Sequence, residues 1–198
     1  MAVLIELFYL PPVSWFSVVK QQAPLMLEQH EHYQKGSYRN RCHLAGSHGQ
    51  IRLSIPLLKG KHQQMPVRDV RIDQRQQWAR QHWRTITAAY GNSPFFEFYK
   101  DELILFFEAP PPFLFDWNLQ LVDWLFSQLP FDTNRQLSTE YNPNPTDILD
   151  FRRQISPKLN QASTKPYAQV FQDRFGFQAD LSVLDLLFCQ GPEAQKYL

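Results

Sequence analysis

Ala2-Val3-Leu4-Ile5-Glu6-Leu7-Phe8-Tyr9-Leu10, closed by Pro11-Pro12, decides the fold. A short apolar run that stops at two prolines reads as a buried strand. Pro12 suits the first turn of a helix, and Trp15, Phe16, Val18 and Val19 supply its apolar positions. Residues 25–31 then read as a second strand. A strand running straight into a helix is a common opening of α/β ligand-binding proteins. The expected class is α/β, a mixed sheet with packed helices, its strand order left open.

The rest of the chain fits that class. Residues 42–44 and 50–58 flank Gly46-Ser47-His48-Gly49 and read as a hairpin. Ile51, Leu53 and Ile55 alternate with Arg52 and Ser54, as in a half-buried strand. Residues 67–72 form a further candidate strand, with Val70 and Ile72 on either side of Arg71. Helices fill the middle. Asp73 is placed to cap one that carries Trp78, His82, Trp83, Ile86 and Tyr90 and ends at Gly91-Asn92. Pro94 opens the next, through Phe95, Phe98, Leu103 and Phe107, and Pro110-Pro111-Pro112 stops it. A third, over 115–129, is amphipathic at Leu119, Val122, Leu125 and Phe126 and ends at Pro130. Long polar loops follow around 138–167, a candidate lid. Residues 169–175 and an apolar helix over 181–188, ended near Gly191-Pro192, close a single expected domain over 1–198.

Composition narrows the function. The chain is 43% hydrophobic and 15% aromatic, enough for a real core, so disorder is not expected for most of it. A net charge of +1 supplies no field for nucleic acid or anionic lipid. Two cysteines, Cys42 and Cys189, read as reduced thiols rather than a disulfide scaffold. The first residues lack the basic start and cleavage site of a signal peptide, and no apolar run is long enough for a membrane span. A cytoplasmic setting is expected. Glycine-rich phosphate cradles, the GxSxG elbow and kinase motifs are missing.

The densest chemistry lies in His30-Glu31-His32-Tyr33-Gln34-Lys35-Gly36-Ser37-Tyr38-Arg39-Asn40-Arg41-Cys42. A core strand cannot bury so many polar groups unpaired, whereas a site for a polar, anionic ligand uses them. His30 and His32 sit two apart, so an extended segment presents both rings on one face. They are candidates for general-base work near neutral pH, and only weak ones for metal, because no HExxH, paired CxxC or DxDxD accompanies them. Lys35, Arg39 and Arg41 are candidate anion grips, and Asn40 faces away from the two arginines to anchor the strand. His82 and Arg84 are candidates to complete the pocket from a helix, against the plainer reading of His82 as a satisfied core histidine. Asp185, inside an apolar helix, must be paired; an arginine partner is expected, with a contribution to the site as the alternative.

At this point the pattern resembles the WbqC-like protein family, in the shorter form of Bacteroidetes-type bacteria. The resemblance runs almost end to end. It rests on Ile5-Glu6 with Tyr9-Leu10-Pro11, on Glu31-His32-Tyr33-Gln34-Lys35 with Ser37-Tyr38-Arg39-Asn40-Arg41-Cys42, and on Leu53-Ser54-Ile55-Pro56. It continues in Val70-Arg71-Ile72-Asp73, His82-Trp83-Arg84-Thr85-Ile86, Ser93-Pro94-Phe95-Phe96 and Lys165-Pro166-Tyr167, and ends in the segment around Asp185. Relatives carry acidic residues near the position of His30, which moves weight onto Lys35, Asn40 and Arg41. The resemblance implies modification of a sugar precursor for O-antigen or related surface polysaccharide, with transfer of an amino acid such as glycine as the proposed chemistry.

The resulting expectation is a cytoplasmic transferase on a nucleotide-activated or lipid-linked sugar. Lys35, Arg39 and Arg41 would hold a sugar phosphate, Tyr33 and Tyr38 would stack, and His32, seconded by His30 or His82, would act as base. No cofactor is named by the sequence. One rival is an accessory protein that presents a glycan precursor to a protein partner, docking through an aromatic patch of Phe113, Phe115 and Trp117. A second rival is a metal hydrolase built on His30 and His32.

Overall fold

The computed structural model describes residues 2–20, 24–59, 64–129, 134–159 and 164–198. The expected helix stop at Pro130 and residues 160–163 of the long polar span lie outside them. Strand β1 (Val3–Glu6) leads to helix α1 (Val13–Lys20) and strand β2 (Leu25–Glu28). A hairpin follows, β3 (Arg41–Gly46) and β4 (Gly49–Ser54). Next come helices α2 (Trp78–Tyr90), α3 (Phe96–Glu108) and α4 (Leu114–Gln128). Strands β5 (Arg135–Leu137) and β6 (Leu149–Asp150), a four-residue helix α5 (Gln172–Phe175) and helix α6 (Val183–Gln190) complete the order.

The fold is α/β. Four strands form a wholly parallel sheet in the order β5-β2-β1-β6, and β3 and β4 pair antiparallel as a sheet of their own. Parallel neighbours need a crossover, which α1 supplies between β1 and β2. The chain adds strands outward from β1 through β2 to β5, then returns to set β6 on the far side of β1. Strand order therefore reverses between β1 and β6. Open α/β sheets take ligands outside the carboxyl ends of their strands beside such a reversal.

Register pairs Leu4 with Met26 and Glu6 with Glu28. Side chains alternate across a sheet, so these four share one face, and Val3, Ile5, Leu25 and Leu27 share the other. The aliphatic face packs into the core with α1 and α4, where Trp15 and Phe16 meet Phe126. The Glu6 face lies under the polar chain that runs from residue 138 past Arg153. Both faces are covered, which is why β1 is buried along its whole length.

Several expectations shift for local reasons. The apolar run of β1 pairs only as far as Glu6; residues 7–10 stay buried but leave the sheet, and Tyr9 N–H bonds the Tyr38 carbonyl at 3.0 Å. Residues 67–72 are not a strand. Val67–Asp69 is a 3₁₀ turn, closed when Asp69 N–H reaches the Pro66 carbonyl, and only Arg71 and Ile72 make isolated bridges. Asp73 does not cap α2; its carboxylate takes the backbone and guanidinium of Arg75, and the helix starts at Trp78. The hairpin turn falls where expected, with Gly49 at φ +102°, a conformation costly for any side chain. The aromatic patch expected from Phe113, Phe115 and Trp117 is not a surface. Phe115 and Trp117 are buried on the inner side of α4, and Phe113 lies beneath the Arg71 guanidinium. The large apolar side chains that α3 exposes are Phe98, 77% exposed, and Leu105, 61% exposed. Both cysteines are free and buried, and burial pushes the Cys189 thiol up to about 12.

Trp15 joins the sheet to the helices. Its indole N–H donates to the Glu6 carbonyl at 2.9 Å while its ring packs on Phe16 and Phe126. Trp15→Ala is expected to lower unfolding free energy by about 3–5 kcal/mol, measured by urea titration of tryptophan fluorescence and far-UV circular dichroism together. A loss below 1 kcal/mol, on the order of a surface change, would mean the joint carries no load.

Candidate functional site

The carboxyl ends of β1 and β2 hold two buried charge clusters. In the first, Arg39 lies between two carboxylates and is 1% exposed. Its Nε and Nη2 each donate to Glu31 at 2.7 Å, and Nη2 also donates to Glu6 Oε1 at 3.2 Å. Glu6 Oε1 accepts the Arg153 backbone N–H as well, at 2.8 Å, whereas its Oε2 is buried without a partner. Arg153 reaches that bond from a left-handed conformation, φ +68°. In the second cluster Arg152 binds Glu28 at 2.9 Å, Asp150 through two bonds, and the Asn142 carbonyl at 2.7 Å. Glu28 also accepts from the Ser138 hydroxyl and the His30 backbone N–H, both at 2.8 Å. Burial is the main cause that raises the Glu6 and Glu31 carboxyls, Glu31 to about 7, against the pull of Arg39.

These clusters fix the polar stretch 30–42 as a stapled loop. Glu31 and Tyr33 point inward and His32 points outward. Glu31 reaches Arg39, and the Tyr33 hydroxyl donates to Asn40 Oδ1 at 2.9 Å, so two inward contacts close the loop at its base. Asn40 then donates to the Ile55 carbonyl and ties the loop to the end of β4. At the tip, Gly36 takes φ +85° and the Ser37 hydroxyl bonds the Gln34 carbonyl. The segment is not an extended strand at Tyr38–Asn40 but a 3₁₀ turn, so Arg39 and Arg41 do not share a face. Arg39 turns in and is fully engaged; Arg41 is half-buried and Lys35 is exposed. The outward set is thus His32, Lys35 and, in part, Arg41, with His30 half-buried beside them. Tyr38 is buried against Phe8 and His43 and offers no free ring face to a ligand.

Other expected members lie elsewhere. His82 is a core residue: Nδ1 meets the Tyr9 hydroxyl at 2.9 Å, the ring bonds the Ser54 backbone, and Trp78 packs edge-on. Burial depresses its pKa to about 4. Arg84 is exposed on α2. Asp185 has no arginine partner. It accepts from the Tyr90 and Tyr167 hydroxyls at 2.8 Å and from the Gln169 amide at 2.9 Å, and Tyr90 in turn accepts the Ala45 N–H. A phenol pair satisfies a buried carboxylate as an arginine would, and this cluster joins α2, α6, β3 and the segment at 167–169. Among the described residues no three His, Cys, Asp or Glu side chains gather as a metal site.

The first turn of α1 is also occupied. In nucleotide-binding α/β folds the helix after β1 offers its free amides to phosphate. Here Asp180 Oδ1 accepts the Ser14 N–H at 2.9 Å and the Leu181 carbonyl accepts the Val13 N–H at 2.9 Å. Glu6, Glu28, Asp150 and Arg152 were not singled out by the sequence reading. Each of the two glutamates ends an apolar strand, and a carboxylate in that position must find a partner. The requirement that gives Asp185 its partners holds equally for them.

The chain belongs to the WbqC-like protein family, whose model matches residues 8–161. It is also similar to an uncharacterised protein of Mycobacterium tuberculosis, 24% identical over 223 aligned positions that cover 98% of this chain and 96% of that one. No solved structure matches.

Two outcomes test this reading. Arg39→Met leaves two buried carboxylates without a counter-charge and is expected to cost about 3–5 kcal/mol in urea unfolding at neutral pH. An unchanged midpoint would show that the pair is not coupled. For His82, the folded pKa of about 4 lies below the free value of 6.5, so the unfolded chain binds more protons between the two. Stability from this group is full above pH 6.5 and falls as pH drops toward 4, by about 3 kcal/mol in all. His82→Phe is expected to flatten that acid limb in melting curves taken from pH 4 to 7, and a limb of unchanged slope would refute the assignment.

Proposed function

We propose that the protein is a transferase that modifies a sugar precursor in surface polysaccharide biosynthesis, in the cytoplasm, with an aminoacyl group such as glycine as the transferred unit. The observation that carries the reading is the stapled loop: two buried contacts hold it at the carboxyl ends of a parallel sheet, beside a reversal of strand order, and leave His32 and Lys35 exposed and Arg41 half-buried, its Nε without a partner. Lys35 and Arg41 hold the phosphate of the activated sugar. His32 accepts the proton of an attacking amine or hydroxyl as its new bond forms and the leaving group departs. Arg39, Asn40 and Tyr33 are positioning residues that act through the loop. Membership of the WbqC-like family supports the reading at the level of the family.

Thermal melting against nucleotide sugars, ATP with magnesium, and acyl-CoA with free amino acids tests it. A ligand at a hundred times its Kd adds ~2.7 kcal/mol, which raises Tm by roughly 5–10 °C in a domain of this size. A nucleotide sugar is expected to give that rise in the wild type and none in Arg41→Ala, whose own circular dichroism stays unchanged. No shift with any group, or an equal shift in the variant, would remove the reading.

A further inference from the structure

We propose that the protein binds a diphosphate ester on the outer face of the β3–β4 hairpin, with Arg41 and Arg52 each gripping one phosphoryl group and His43 donating between them. Register sets Arg41 opposite Ser54 and His43 opposite Arg52. Side chains alternate along a strand, so these four stand on one face, while Cys42, Leu44 and Leu53 of the other face are buried in the core. Arg52 and Ser54 are exposed, and Arg41 and His43 are half-buried. Neither His43 nor Arg52 belongs to the site described above. Phosphate rather than carboxylate at Arg41 follows from the transferase reading, on which the inference rests in that one respect.

Uncompensated charge selects the ligand. Arg39, Arg75, Arg135 and Arg152 each pair with a carboxylate. Among the described residues Arg41 and Arg52 have no such partner and donate no side-chain hydrogen bond. The Arg41 Nε is buried with its N–H unused, so the protein supplies no acceptor to hold this guanidinium. Burial is the main cause that lowers the His43 pKa, and Arg41 and Arg52 each lower it further, so both guanidiniums act on one ring. At neutral pH that ring is uncharged and donates one N–H. Tyr38 packs edge-on against it, ring centroids 5.5 Å apart. The acids nearby are committed elsewhere: Asp180, which acts on Tyr38, holds the Ser14 N–H, and Glu31 is turned in to Arg39. Two like charges thus stand on one face and repel each other until an anion enters. Arg41 and Arg52 are diagonal neighbours across the strand pair, about 7–8 Å apart. Each fork can take a phosphoryl group bidentately, and mutual repulsion keeps the two from closing on a single one. A diphosphate offers two phosphoryl groups joined through one oxygen, and His43, beside both arginines, donates to the oxygens between them.

Isothermal titration of the full chain at constant ionic strength, without divalent metal, reads the face with inorganic pyrophosphate, orthophosphate and citrate. Pyrophosphate is expected to bind about tenfold more tightly than either of the others. Arg52→Gln, at an exposed position, is expected to weaken pyrophosphate about tenfold and to leave orthophosphate unchanged. His43→Gln is expected to weaken pyrophosphate by a smaller factor. UDP and geranyl diphosphate then tell a nucleoside carrier from an isoprenoid one, and at least one of them is expected to match pyrophosphate. Citrate bound as tightly as pyrophosphate, no preference over orthophosphate, an unaltered pyrophosphate affinity in Arg52→Gln, or no binding of either ester would each overturn the diphosphate site. The two readings fail separately. Pyrophosphate binding that depends on Arg52, with no nucleotide sugar shifting Tm, would keep the diphosphate site and remove the transferase; a nucleotide-sugar shift that depends on Arg41 and not on Arg52 would do the reverse.

Discussion

Arg39 is held in the interior by two carboxylates that come from different parts of the chain, Glu6 at the end of β1 and Glu31 just past β2. A buried guanidinium without partners is unaffordable, and two buried carboxylates without it are equally so. Each group therefore fixes the others. The loop between Glu31 and Arg39 inherits its shape from that contact, and β1 and β2 inherit a fixed end. Neighbouring pieces repeat the device: Arg152 does for Glu28 and Asp150 what Arg39 does for Glu6 and Glu31. The result is a sheet whose carboxyl ends are locked by charge, although its amino-terminal portion is aliphatic.

That lock sorts the polar residues into two kinds. Those that point inward, Glu31, Tyr33, Arg39 and Asn40, are consumed by contacts within the protein. Those that point outward, His32 and Lys35, have no such duty. A polar sequence on a loop does not by itself distinguish the two, since both need donors and acceptors.

Much of the fold was legible for simple reasons. The first strand, the helix after it, the hairpin and the long helices announce themselves by apolar run, period and prolines. β5 and β6 do not. Arg135–Leu137 is exposed at every position and Leu149–Asp150 spans two residues, so neither carries a hydrophobic pattern, and each exists because a parallel neighbour offers it an edge. The polar stretch 30–42 is readable in the sequence as a candidate region, but its geometry is not: a period of two fails across Tyr38–Asn40, where a Ser37-capped turn intervenes and separates Arg39 from Arg41. Asp185 shows the same limit in another form: the need for a partner is readable, but the two phenols that meet it come from positions 90 and 167, far apart in the chain.

Asp180 gives the first helix a different meaning from the one its position implies. In this chain the amide that a phosphate would seek already has an internal anion, contributed from a point 166 residues away. A molecule designed on the nucleotide-mimic principle would have to evict a carboxylate tied to the backbone just before α6. The N-terminal strand–helix unit therefore has the outline of a nucleotide cradle but a first turn that the chain itself already fills.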